Sequence, residues 1–229
     1  MSSRNRNMKR PRPGRPIARI EGETRDLLLA AAAQSFGERG VAASTFALIA
    51  QRAGLTPAML HYYFTDRDAL IDAVVDERVG PLIASVWNPV QAGDSAATIL
   101  RGIVERLLSG IERNPWIPSV WMREVLNKGG LLRGRVLRHL PFEKVQLVGE
   151  AMAQGQKVGS VHADLDPILI VFSTLGLVML HSATAPLFAE IFHRDEPDRE
   201  TLVRHITGLL LHGLERPEVS CRTTAIEKA

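Results

Sequence analysis

The sequence predicts an all-α protein, with a small three-helix unit at the N-terminal end and a larger helical body behind it. Three observations predict this. Apolar residues recur at helical spacing from Thr24 onward. Proline and glycine divide the rest into segments of helical length. No useful length of chain alternates apolar and polar residues as a half-buried strand does, and aromatics are only 5%, which also argues against a β-sandwich.

Residues 1–22 predict a disordered basic arm, dominated by Arg, Asn and Pro without apolar periodicity. In the first helix Leu28, Ala32 and Phe36 fall at i, i+4 and i+8, and Leu29 widens the stripe. Gly40 ends it, because glycine accepts the left-handed cap conformation. Thr45 caps the second helix, whose inner face is Ile49, Ala50 and Ala53, and Gly54 breaks it. Thr56-Pro57 then pairs a capping hydroxyl with a proline at the first helical position. The third helix spans about 57–64, and Asp66 caps the next, which carries Leu70, Ile71 and Val74. Two short helices joined by a tight glycine turn make a helix-turn-helix, with Leu55 plugging the corner. Further helices are expected at 94–113, 115–128, 131–139, 142–156, 166–182 and 197–214, with a short turn at 186–193. Asn114-Pro115 reads as another cap and first-position pair.

The charge is arranged unevenly. Residues 1–20 hold seven basic residues and no acid. Residues 1–70 hold 11 basic and 6 acidic residues, net +5, while residues 71–229 hold 17 and 19, net −2. A basic front end on a near-neutral body attracts phosphate, on nucleic acid or on a membrane surface. The single cysteine, Cys221, excludes an internal disulfide framework and a multi-cysteine zinc site and fits a reducing cytoplasm. No secretory signal is expected, because no apolar segment follows the basic start. The uncharged run Ile168–Leu180 is 13 residues, short of the about 20 that span a bilayer, so no membrane partner is expected.

Residues 24–70 resemble the DNA-binding domain of the TetR family of bacterial transcriptional regulators. The residues that carry the likeness are Phe36 and Gly40, then Thr45-x3-Ile49-Ala50-x2-Ala53-Gly54, Leu60-His61-Tyr62-Tyr63-Phe64 and Arg67-x2-Leu70. His61 stands where the family usually has Tyr. The resemblance implies domains at 23–68 for DNA binding and 69–215 for ligand binding and dimerisation, with a tail at 216–229. It implies a repressor released from its operator by a small, largely apolar ligand.

It also assigns roles. The third helix would enter the major groove with Thr56, Pro57, Ala58, Met59, His61 and Tyr62 exposed. Ala58 and Met59 can touch thymine methyl groups but make no bidentate hydrogen bond, so direct base readout is modest and DNA shape supplies the rest. Tyr63 would reach a phosphate from the far end of the helix. Thr45 would donate to a phosphate at the start of the second helix. Arg67 would clamp phosphate beside the groove. In the arm, Arg12-Pro13-Gly14-Arg15-Pro16 is similar to an AT-hook core with one Pro inserted, which puts Arg12 and Arg15 in a narrow minor groove. A solvated tail that only attracts phosphate is the alternative.

In the body, the resemblance implies a homodimer on a pseudo-palindromic operator. The expected interface is the last two long helices, one with Leu169, Phe172, Ser173, Leu175, Gly176, Leu177, Val178 and Met179, the other with Leu202, Ile206, Leu209, Leu210 and Leu214. Trp87, Trp116, Trp121, Met122, Phe142, Met152 and Phe172 are the candidate lining of an apolar pocket, with Arg123 and Glu124 to orient a polar group. The alternative for each is plain core packing and an internal ion pair. Ligand binding would act through the helix near residues 66–85. No cofactor or metal is expected. His162-x-Asp164-x-Asp166 reads as a loop whose Asp166 caps the next helix, and His205 and His212 as interface or surface residues. The chain has no Gly-x-Ser-x-Gly, no Gly-x4-Gly-Lys and no His-Glu-x2-His, so no enzyme is expected. The other alternative is a helical interaction protein whose basic arm binds nucleic acid or a membrane surface.

Overall fold

Two left-handed glycines set up the front of the molecule: Gly40 (φ +81°) and Gly54 (φ +68°) turn the chain after the first and second helices. The structure, a computed structural model, describes residues 17–214, with side chains from Glu21 to Gly213. Arg12, Arg15, Cys221 and the tail expected at 216–229 lie outside these residues. Among the described residues every regular element is a helix, and loops join them. In order they are α1 (Ile17–Arg39), α2 (Phe46–Arg52), α3 (Pro57–Tyr63), α4 (Arg67–Val74), α5 (Gly80–Trp87), α6 (Ala96–Arg113), α7 (Ile117–Val120), α8 (Arg133–Leu137), α9 (Phe142–Lys157), α10 (Pro167–Phe192) and α11 (Arg199–Leu214).

The head is α1–α4. Leu28, Ala32 and Phe36 of α1, Ile49 and Ala50 of α2, Leu60 of α3 and Leu70 and Ile71 of α4 are buried together. Alanine at 50 lets α2 approach closely. The first helix starts at Ile17, seven residues before Thr24, where the sequence predicts the helical pattern to begin, so residues 17–22 are helical and not part of an arm. Glu21, Gly22 and Glu23 there are exposed, so no apolar period marks them.

No linker separates head from body. Helix runs without a break from Arg67 to Trp87 as α4, a π-helical turn at Val75–Val79, and α5, so the boundary expected at 68/69 falls inside a helix. Pro81 gives the cause. It has no N–H to donate to Glu77 O, and its ring crowds that carbonyl, so the turn before it widens and Gly80 N–H reaches back to Val75 O.

In the body α6 is central, packed against α5, α9, α10 and α11. Ser95 caps it and Ile99, Leu100, Ile103, Val104, Leu107 and Leu108 are its buried stripe. At Gly110 a Cβ would sit 2.1 Å from Leu82 Cδ1, so any larger residue there would make the Leu82 side chain shift. The helix expected at 115–128 is instead short α7 plus a second π-helical turn, Trp121–Val125, where Leu126 N–H bonds Trp121 O. Asn114 caps the end of α6, not the start of a helix, with its Nδ2 donating to Gly110 O. Asp166 caps α10 as expected, accepting from the amides of Ile168 and Leu169.

The turn expected at 186–193 is the last part of α10, which continues through Pro186 for 26 residues. That overturns the 13-residue limit: by length and composition alone α10 could cross a membrane. Here Ile170, Val171, Thr174, Val178 and Met179 on one flank join the body core. The other flank is a different matter. Leu169, Phe172, Leu180, Leu187 and Ile191 recur every three, four, seven or eight residues along it and are all exposed. The stripe is about 33 Å long. Of the expected interface residues, Val178, Met179, Ile206 and Leu210 face the monomer core, while Leu169, Phe172 and Leu209 face outward.

Candidate nucleic-acid interface

The reading element is α3, set up by local chemistry. Pro57 starts it with φ already helical. Leu60 and Phe64 turn inward and fix the helix to the head. The outward face is then Thr56, Pro57, Ala58, His61 and Tyr62, all exposed. Met59 and Tyr63 are half-buried, less open than expected. Thr56 makes no capping hydrogen bond, contrary to expectation, which leaves its hydroxyl on the exposed face.

The aromatic cluster is ordered by ring contacts. His61 packs on Phe46 of α2 with centroids 5.0 Å apart, and Tyr62 meets Tyr63 edge-on at 5.0 Å. The Tyr62 hydroxyl lies 3.4 Å from Glu21 Oε1 of α1. The charge of that carboxylate raises the phenol above its usual range, and the one hydroxyl proton is given to Glu21, so donation to a phosphate requires that bond to open.

Thr45 is exposed and does cap α2, its hydroxyl oxygen accepting from Leu48 N–H at 3.3 Å. Its proton is free to donate outward, beside the helix N-terminus, where phosphate is favoured.

Arg67 corrects the expectation of a phosphate clamp. Its guanidinium turns inward to the corner between α1 and α2, where Nη2 donates to Val41 O and, at 2.9 Å, to Ala42 O. It holds the reading head together. Sequence reasoning also missed a cleft of about 310 Å3 lined by Ser35, Arg39, Leu48, Gln51 and Arg52 beside α2. Two arginines at the ends of successive helices, Arg39 of α1 and Arg52 of α2, were the available signal. Arg52 is already paired with Glu38 and Gln34 of α1.

The pocket set does not converge. Trp87 and Met152 are core residues. Trp116 packs on α1 at Gly37, where a Cβ would lie 2.7 Å from Trp116 Cβ. Met122, Phe142 and Phe172 are exposed at separate places on the π turn, α9 and α10. Arg123 donates to Glu38 O at 2.7 Å and does not face a cavity. A cleft of about 570 Å3 instead lies between the residues 92–96 and α9, lined by Asp94, Leu147, Glu150, Ala151, Lys157 and Val158 among others. Aromatic content pointed elsewhere because Trp is as useful for packing as for lining.

Among the described residues no group of three or more His, Cys, Asp or Glu is placed to hold a metal ion. His162 accepts from Asp164 N–H within its own loop. His205 stacks edge-on against His181 at 5.7 Å, and His212 bonds Gly208 O.

Residues 28–74 match the family model described as bacterial regulatory proteins, tetR family. That segment is similar to the DNA-binding domain of the TetR family. The match runs from Leu28, midway along α1, to the end of α4 and takes in the buried residues of the head. Among curated relatives, the HTH-type transcriptional regulator BetI of Stenotrophomonas maltophilia is 32% identical over 108 residues, 47% of this chain and 55% of that protein. The alignment thus spans about half of that relative's length. The solved structure of ketosteroid transcriptional regulator KstR2 of Mycobacterium tuberculosis shares the fold at TM-score 0.67 and 18% identity, covering 84% of this chain and 95% of that one. AibR, solved with isovaleryl coenzyme A and operator DNA, shares it at TM-score 0.62 and 19% identity, over 82% and 98%. These likenesses show that the fold is shared through the body as well as the head.

Proposed function

We propose that the protein is a dimeric transcriptional repressor that binds a pseudo-palindromic operator and is released by a small, largely apolar effector. It acts in the cytoplasm and carries out no catalysis. The observation that carries the reading is α3: a helix fixed from beneath by Leu60 and Phe64, with its other face open, His61 packed on Phe46 of α2 and Tyr62 exposed. Such a helix fits the major groove, and flanking hydroxyls reach phosphates. Arg12 and Arg15 add minor-groove or phosphate attraction from the arm.

The exposed stripe on α10 supports a dimer. A surface that includes Phe172 at 66% exposure and Ile191 at 58% is costly in water and is covered well by a second copy of the same helix. With α11 alongside, exposing Leu209, two protomers build a four-helix contact. Two reading heads then meet two half-sites. The effector acts where the body meets the head, moving the heads apart or together.

The test is a gel-shift on duplexes from upstream of the protein's own and neighbouring genes, at two salt concentrations with excess nonspecific competitor. A discrete, competitor-resistant complex is expected. Binding that vanishes with competitor, together with retention on anionic liposomes, overturns the operator reading in favour of a basic arm on a helical interaction protein.

A further inference from the structure

We propose that Glu124, assisted by Arg123, is a positioning residue for DNA contact: it holds the corner between α1 and α2, and so the placement of Thr45 and α2, from the body side. This rests on the DNA-binding reading above and adds a route from body to head that does not run along α4.

Glu124 is only 7% exposed, and both of its oxygens are in use. Oε1 accepts from Val41 N–H at 2.8 Å, and Oε2 accepts from Leu131 N–H at 3.0 Å. Val41 belongs to the head and Leu131 to the body loop before α8, so a single carboxylate ties the two. Its neighbour Arg123 reaches the same place from the other side, donating to Glu38 O at the end of α1. Local backbones are fitted to this contact. Gly130 lies so close that a Cβ would be 2.1 Å from Glu124 O, and Gly40 leaves 3.2 Å between its would-be Cβ and Glu124 Oε1.

The corner it holds leads directly to the DNA-facing residues. Ser44 Oγ donates to Gly40 O at 2.8 Å and accepts from Ser35 Oγ at 2.9 Å, and Thr45 follows as the cap of α2. Arg67 takes Val41 O and Ala42 O from the α4 side. The corner is therefore gripped by α4 through its carbonyls and by the Trp121–Val125 turn through an amide. That turn is π-helical, a form that often marks functional sites. Resetting it to an i, i+4 pattern turns Glu124 off the corner and leaves the buried Val41 N–H without a partner.

The experiment uses the full chain and Glu124→Ala, with two readouts. Amide exchange at Val41 needs no DNA. Affinity for the upstream duplex is measured in a double-mutant cycle with Thr45→Ala. Val41 should exchange about tenfold faster or more, and the duplex affinity should fall by about tenfold. Thr45→Ala should then cost clearly less in the variant than in the parent, because a displaced Thr45 has less contact to lose. If Glu124→Ala does not fold, Glu124→Gln, which offers one acceptor oxygen to two N–H groups, is read in the same way. Unchanged Val41 exchange, or fully additive effects with Thr45→Ala, overturns the proposal. If the parent binds no duplex, the operator reading fails, and Val41 exchange still decides whether Glu124 holds the corner.

Discussion

The head and the body solve the same problem, covering apolar helix faces, to different degrees. In the head, α1–α4 cover one another: Leu28, Ile49 and Leu60 are fully buried, and what remains outside on α3 is small, polar or aromatic with a polar tip. In the body, α10 buries one flank and leaves the other bare from Leu169 to Ile191. The head is thus finished as a monomer and offers a surface suited to a polyanion. The body is not, and its bare stripe is suited to another apolar face. The difference teaches that partner chemistry is written in what each unit leaves uncovered.

The sharpest way to break this contrast is to charge the stripe. Phe172→Glu with Leu187→Glu should give a folded monomer by light scattering, since neither side chain is in the core. Operator affinity should fall by about 10²–10⁴-fold as two linked heads become one. A dimer that persists would show that the stripe is covered by something else. Next, Leu60→Ala should destabilise the head by about 2–5 kcal/mol, because it removes a fully buried side chain that anchors α3. Thermal melts should then show the loss.

A smaller effect is expected from Ala58→Gln on the exposed face of α3. It gives the helix a group that pairs with adenine, and should change operator preference at one position by about 1–3 kcal/mol in a randomised-site selection. The smallest concerns pH. Asp198 caps α11, accepting from Thr201 N–H at 2.8 Å, and this bond holds its carboxyl below the usual range. A depressed pKa in the folded state means stability that is present above the unfolded pKa and lost as pH falls through the folded one. Asp198→Asn should therefore lower the melting temperature slightly at neutral pH and make no difference in acid. An equal effect at both ends would rule out the carboxylate.

Much of the head was legible in the residues. Caps at Thr45 and Asp66, turns at Gly40 and Gly54, and Pro57 at a helix start act within four or five residues, so spacing reports them directly. Thr56 shows the limit even there: the residue sits at the cap position, yet its hydroxyl makes no capping bond. Arg67 shows another. Its place in the motif suggested phosphate, while the fold brings two carbonyls 25 and 26 residues away within its reach. In the body the pocket residues failed for the same reason. Periodicity says that Trp116, Phe142 and Phe172 are on helices, but not which way those helices face one another.

What the sequence by itself determined is the all-helical class, the helix-turn-helix with its outward reading face, and the apolar character of the last long helices. These follow from local backbone preferences and from the helical period, which need no knowledge of distant chain. Only the tertiary structure decided which flank of α10 is bare, that α4 runs unbroken from head into body, and that Glu124 reaches Val41 across 83 residues of chain while also holding Leu131. Those are matters of which surfaces meet. A buried carboxylate between two backbone amides is favourable only once packing has excluded water from it, and no local pattern of residues records that.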